Sequence, residues 1–300
     1  KRIVEFEDAS DQERAITLCN SGVLATSADD LFSMIKKIGN ENASGEFYLT
    51  DCVKLACQAG KTTTVVKCEE AETLGVNSRA DLARAEAAFQ SHARASSIAN
   101  GVTFLAPGTV FFSSDTVIGR DAVIEQNVIF GPGTTIESGA HIRAFSHIEG
   151  AHVARGAIVG PYARLRPGAE IAENVRIGNF VEVKDAQIAE GAKINHLSYV
   201  GDANIGQDAN IGAGSVTCNY DGLMKHKTTI GSRAFIGSNT MMVAPVNIGD
   251  DAITASGSVI TRDVPSDALA VGRADQVNKI GLAKKLMNIL RKRNQKRDLD

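Results

Sequence analysis

At 300 residues the chain has room for two domains, and a 43% hydrophobic content can furnish an extended core. With no Trp and only 5% aromatic residues, that content suits a narrow interior lined by Ile, Val and Leu. A net charge of −3 gives no electrostatic argument for nucleic acid, no apolar run approaches the length of a membrane span, and no signal peptide is visible. The cysteines Cys19, Cys52, Cys57, Cys68 and Cys218 are odd in number and lack CxxC spacing, so they read as reduced thiols of a cytosolic protein.

In chain order, Lys1–Asp8 reads as a strand from the middle of a domain, and the chain as a piece of a longer protein. Residues 1–78 show the pattern of a partial α/β (Rossmann-like) unit. Strand-like segments at 3–5, 22–25 and 63–67 alternate with helical ones at 28–38 and 50–58, the second capped by Thr50 or Asp51. Residues 79–97, within a linker spanning 79–101, predict a helix with Leu82, Ala85 and Phe89 on one stripe.

From about residue 102 to 274 the chain repeats. Large apolar residues recur every sixth position at Phe112, Ile118, Ile124, Phe130, Ile136, Ile142 and Ile148. After a slip they resume at Val153, Val159, Leu165, Ile171, Ile177 and Val183, and after another at Ile188 and Ile194. Small or β-branched residues (Thr116, Ala122, Val128, Thr134, Ala140, Ser146) stand two places before the first set. A period of six fits neither a helical face nor a long alternating strand. It fits short strands joined by tight turns, the pattern of a parallel β-helix. The pattern resembles the left-handed hexapeptide β-helix, and the handedness is implied by that resemblance alone. After Ile205 and Ile211 the rhythm breaks over 212–229 and restarts at Ile230, Ile236, Met242 and Ile248. An insertion in a solenoid projects from one face and often builds a binding site; otherwise it is a decorative loop. The end of the chain, 275–300, reads as an amphipathic helix with Ile280, Ala283, Met287 and Leu290 on one side. Lys284, Lys285, Arg291, Lys292, Arg293, Lys296 and Arg297 make it basic. That helix is either a solvated face or an anchor for anionic groups such as cofactor phosphates.

Within the repeats, Arg166-Pro167-Gly168, Gly178-Asn179-Phe180-Val181-Glu182-Val183-Lys184 and His196-Leu197-Ser198-Tyr199 occur in order, followed by Asn210-Ile211-Gly212-Ala213-Gly214 and Cys218-Asn219-Tyr220-Asp221-Gly222. Together they resemble the bifunctional N-acetylglucosamine-1-phosphate uridyltransferase / glucosamine-1-phosphate acetyltransferase family of bacterial cell-wall precursor synthesis. The resemblance covers nearly the whole chain. It implies acetyl transfer from acetyl-CoA to glucosamine-1-phosphate, a cytoplasmic homotrimer with shared sites, and magnesium for the uridyltransferase half.

On this resemblance His196 stands at the position of the catalytic base, work suited to an imidazole titrating near about 6.5. Arg166 and Lys184 stand at sugar-phosphate positions, where a guanidinium fork and a compact ammonium can clasp phosphate. Tyr199 and Asn210 match contacts to the sugar, and Lys225 a further phosphate contact. Ala213, Asn219, Tyr220, Ser238, Ser256 and Arg273 match the acetyl-CoA site. Asn219 would hold either the thioester carbonyl or the amine, and Arg273 suits the cofactor's phosphates. The family more often has alanine where this chain has Ser256. Glu5, Asn20 and Asn77 resemble UDP-sugar contacts, with Asn77 a magnesium ligand only together with the missing N-terminal part. The Gly-rich nucleotide loop that should precede them is not in this sequence. Acetyl transfer without uridyl transfer is therefore the expectation, and UDP-sugar formation by the purified chain would overturn it.

Two other readings share the repeats: a zinc enzyme resembling γ-class carbonic anhydrases, using His141, His147 and His152, and a non-catalytic trimeric scaffold. His141 and His147 precede inward-facing Ile142 and Ile148, so alternation points both outward.

Overall fold

The computed structural model describes residues 2–297. The chain divides into two compact units, Lys1–Gln90 and Ser91–Asp300.

In the first unit the expected helices form, as Ala28–Ile35 and Asp51–Gln58. The Ser27 hydroxyl caps the first by accepting from the Asp30 amide at 3.3 Å. Met34, Cys52 and Ala56 bury one small core, flanked by Leu31, Ile38 and Leu55. The expected strands at 3–5, 22–25 and 63–67 do not form among the described residues, and Val66 is left 88% exposed. Strand propensity takes effect only where a neighbouring strand accepts the backbone groups, and this unit offers none of the three such a partner. Thr50 is not a side-chain cap either: its hydroxyl donates to Glu5 Oε1 at 2.8 Å.

The helix expected at 79–97 runs Arg79–Ala99. Its first turn is closed reciprocally, the Asp81 amide donating to Ser78 Oγ at 3.1 Å and the Ser78 amide to Asp81 Oδ2 at 2.9 Å. The Ser78 hydroxyl first, then Arg84 and the Asn77 amide, hold the Asp81 carboxyl down at about 2. The expected apolar stripe is not fully covered, since Leu82 is 46% exposed.

The second unit is a parallel β-solenoid. Strands of two to seven residues stack coil on coil, one ladder running through ten of them from Thr103–Phe104 to Leu269–Ala270. Register steps of 17 or 18 residues (Val123 to His141, Lys193 to Asn210) make each coil three hexads long. The inward Ile, Val and Leu residues of the beat from Ile124 to Ile194 are buried, and Ile118 in the first coil is only half covered. Arg94 donates to the Val110 carbonyl at 3.1 Å across the first coil.

The slips in the beat have a structural meaning. At six-residue corners the residue in left-handed conformation follows the inward residue by three positions, as Phe180 (φ 56°) follows Ile177. At five-residue corners it follows by two, as Asp185 (φ 46°) follows Val183 and Asp202 (φ 49°) follows Val200. The strands Glu182–Ile188 and Tyr199–Ile205 therefore bend around a shortened corner without interruption. Aspartate tolerates that conformation better than most side chains.

The insertion is shorter than expected. Residues 212–218 belong to a regular coil, with Val216–Cys218 paired to Met241–Val243. Only residues 219–227 leave it, which lengthens the step from Asn210 to Phe235 to 25 residues. Hexad spacing hides this because the inward position six residues after Ile211 is Thr217, buried but polar, where the beat leads one to look for a large aliphatic residue. The last helix is Leu282–Arg297 and excludes Ile280, which is fully exposed ahead of it; the side chains of Lys296 and Arg297 lie outside the described residues.

Candidate active site

One corner of the solenoid carries a line of residues, each just ahead of a left-handed position. It runs Asn179, His196, Ala213, Ser238, Ser256, on coils joined by backbone hydrogen bonds. Leu197 N donates to Asn179 O (3.0 Å), Gly214 N to His196 O (3.1 Å), Asn239 N to Ala213 O (2.7 Å) and Gly257 N to Ser238 O (2.8 Å). The Arg273 side chain lies over Gly257 at the end of this line. His196 closes the strand Lys193–His196 and is exposed, its Nδ1 2.8 Å from Asn179 Oδ1. Below it at the same corner Phe145, Tyr162 and Phe180 stack with ring centroids 4.8 and 5.3 Å apart, all exposed, and Leu197 continues the ridge.

Around the corner, three residues after His196, begins a polar cluster on the next face. Arg166 Nη1 donates to Glu182 Oε1 at 2.7 Å, and Glu182 is the register neighbour of Tyr199. Lys184 stands 3.6 Å from Asp202 Oδ2, both half-buried at the shortened corner. The Asn219 amide nitrogen donates to Asp202 and, at 3.4 Å, to the Tyr199 hydroxyl. Gly201 makes room for this, because a Cβ there would collide with the Tyr199 hydroxyl and the Asn219 amide.

Lys225 at the base of the inserted loop comes within hydrogen-bonding reach of Lys184. Two neighbouring ammonium groups resist joint protonation. Contact with Lys184 pushes Lys225 below the ordinary lysine range, while Lys184, held by Lys225 and then by Asp202 and Asp185, goes up. Within the loop, Asp221 Oδ2 pairs with His226 Nε2 at 2.6 Å, while its Oδ1 accepts from the Leu223 and Met224 amides. Burial pushes the Cys218 thiol up, away from thiolate chemistry.

The structure thus brings Arg166, Lys184, Tyr199, Asn219 and Lys225 into one cluster, and sets His196, Ala213, Ser238, Ser256 and Arg273 along one edge. Two residues stand apart. Asn210 pairs in register with Lys193 and Phe235, at the opposite end of the strand from His196. Tyr220 points its hydroxyl back to the Gly222 carbonyl at 2.5 Å within the loop. Asn179, Glu182, Asp202 and Gly201 were not singled out from sequence. Counting one coil, 17 residues, back from His196 reaches Asn179, and back from Tyr199 reaches Glu182, so the beat itself held the signal for these two.

In the first unit, no hydrogen bond joins Glu5, Asn20 and Asn77 among the described residues. Beside Asn77, the Asp81 carboxylate accepts from the Ser78 hydroxyl, Arg84 and the Asn77 amide. Two of the solenoid histidines face outward onto carboxylates, His141 to Glu125 (2.9 Å) and His152 to Glu137 (2.9 Å) and Glu170 (3.3 Å). Among the described residues no group of three or more His, Cys, Asp or Glu side chains is placed to hold a metal ion. Among them, too, no helix is long and apolar enough to cross a membrane.

Residues 115–150, 150–185 and 227–262 match the family model described as "Bacterial transferase hexapeptide (six repeats)", so the class is a hexapeptide-repeat solenoid. Proteins called "Bifunctional protein GlmU" are similar over nearly all of this chain. The one from Jannaschia sp. (strain CCS1) is 62% identical over 95% of the chain and 63% of its own length. Those from Ruegeria sp. (strain TM1040) and Ruegeria pomeroyi are each 64% identical over 97% of the chain and 65% of their own length. The chain spans a little under two thirds of the length of these curated relatives.

Proposed function

We propose that this chain transfers the acetyl group of acetyl-CoA to the amine of glucosamine-1-phosphate, giving N-acetylglucosamine-1-phosphate on the way to UDP-N-acetylglucosamine for peptidoglycan and lipopolysaccharide. The observation that carries this reading is the pairing of an exposed imidazole with the Arg166–Lys184–Lys225 cluster around one corner. Three cationic side chains suit a sugar phosphate, and the edge line from Ala213 to Arg273 leads away from His196 toward a cationic end suited to a cofactor's phosphates. The amine nitrogen attacks the thioester carbonyl carbon, and His196 takes the proton that the nitrogen sheds. The tetrahedral intermediate then collapses with cleavage of the C–S bond, and CoA leaves as thiolate. Asn219 spends its N–H on Asp202 and Tyr199, so its amide oxygen suits the amine's N–H better than the thioester oxygen. A raised Cys218 thiol supports direct transfer without an acyl-enzyme.

A homotrimer with shared sites belongs to the same reading. The exposed ridge of Phe145, Tyr162, Phe180 and Leu197 is a surface that copies of the chain would cover, and Asn210 would serve a neighbouring copy's site. Five cysteines free of disulfides support a cytosolic setting.

The test is CoA release from acetyl-CoA with glucosamine-1-phosphate, against glucosamine and serine as acceptors. Turnover requiring the phosphorylated sugar supports the reading, and equal rates with glucosamine sink it. The lysine pair adds a pH signature. Lys225 is depressed, so it sheds its proton below the ordinary lysine value of about 10.4 and must regain it to hold phosphate. The KM for glucosamine-1-phosphate should therefore climb on the alkaline side, starting below that value. Lys225→Arg, which keeps its charge, should flatten the rise, and Lys225→Ala should raise KM already at neutral pH.

A further inference from the structure

We infer that Asn179 is a positioning residue for His196, fixing the imidazole tautomer so that Nε2 is the basic atom. The inference rests on the acetyltransferase reading above for its catalytic meaning, but its structural content stands on geometry alone. Asn179 and His196 are register partners on adjacent coils, each just ahead of a left-handed corner residue, Phe180 (φ 56°) and Leu197 (φ 51°). The Leu197 N to Asn179 O bond (3.0 Å) locks the two backbones together. Gly178 lets the coils close, since any Cβ there would run into the Asn195 carbonyl. The side chains then meet with Asn179 Oδ1 2.8 Å from His196 Nδ1.

An amide oxygen only accepts, so Nδ1 must carry the hydrogen and the lone pair falls on Nε2. Nε2 is the ring nitrogen farther from the backbone, the one able to reach an incoming amine. A neutral partner has a further consequence. A carboxylate at this place would stabilise the imidazolium and keep the ring protonated to higher pH, whereas an amide orients the ring without adding charge. The device gives direction without adding charge.

Three variants of the full chain test this. In Asn179→Ala, kcat should fall by about 10²-fold with the KM for both substrates nearly unchanged, the size of effect that misplacing a reacting group can produce. Asn179→Asp keeps an acceptor, so it should recover much of that loss while moving the acid limb of kcat/KM to higher pH. His196→Ala separates the two readings: if it retains full turnover His196 is not the base and the positioning role falls with it, whereas if it is dead and Asn179→Ala is unimpaired only the positioning role falls. A readout independent of turnover is ¹⁵N NMR of histidine-labelled protein, with the His196 signals assigned by their loss in His196→Ala. At a pH where the ring is neutral the wild type should show the proton on Nδ1, and Asn179→Ala should shift it toward Nε2. A wild-type ring protonated on Nε2, or a tautomer unmoved by Asn179→Ala, overturns the proposal.

Discussion

Replacing His196 with alanine should lower the turnover of acetyl transfer by roughly 10²–10⁴-fold, the usual contribution of a positioned general base. The loss should fall on kcat, because the cationic cluster of Arg166, Lys184 and Lys225, the proposed phosphate grip, lies on the next face and is untouched by the change. The fold should survive, since His196 is exposed at a strand end and truncating it opens no cavity; the expected stability change stays within about 0.5 kcal/mol. Steady-state kinetics with chemical denaturation of the same samples reads both. Unchanged kcat in a folded variant would exclude His196 as the base, and absence of turnover in the wild type would favour a non-catalytic scaffold.

Ile194→Ala carries the largest expected effect on stability. Ile194 is fully buried, between its register neighbours Ile177 and Ile211 on the coils either side. In a narrow solenoid each inward side chain packs mainly on the coils above and below, so its removal leaves a cavity that the stiff ladders cannot close. The cost should be about 2–5 kcal/mol, read as a lower denaturation midpoint. Lys193, one residue earlier and exposed, serves as control: Lys193→Ala should move the midpoint little. Equal effects at 193 and 194 would contradict the inward–outward alternation on which the coil depends. Because Ile194 anchors the strand that ends in His196, its loss should also reduce turnover, unlike a core deletion at the far end of the solenoid.

Much of the coil was legible because a repeat is local information. Ile136, Ile142 and Ile148 point inward for the same reason that His141 and His147 point outward: successive residues on a strand alternate sides. In the first unit the two expected helices form, but the three expected strands do not among the described residues. Residues 63–67 have strand composition, but composition cannot supply a neighbouring strand, and Val65 and Val66 stay exposed. The site was legible as a set of residue types and not as an arrangement. Asp202 reads in sequence as a polar turn residue. It becomes the half-buried partner of Lys184 and Asn219 because a five-residue step shortens the corner at Val200 and turns its carboxylate onto them.

The sequence by itself determined the solenoid, its inward residues and its phase, since hydrophobic spacing dictates which side of each strand faces the core. It also carried, through its motifs, the residue types from which an acyl-transfer site can be made. Tertiary structure alone decided which of them meet: Asn179 under His196, Glu182 on Arg166, Asp202 between Lys184 and Asn219, and Asn210 away from them all. Such meetings join residues one coil or more apart, and whether each step between them takes five residues or six sets which side chains come to share a corner.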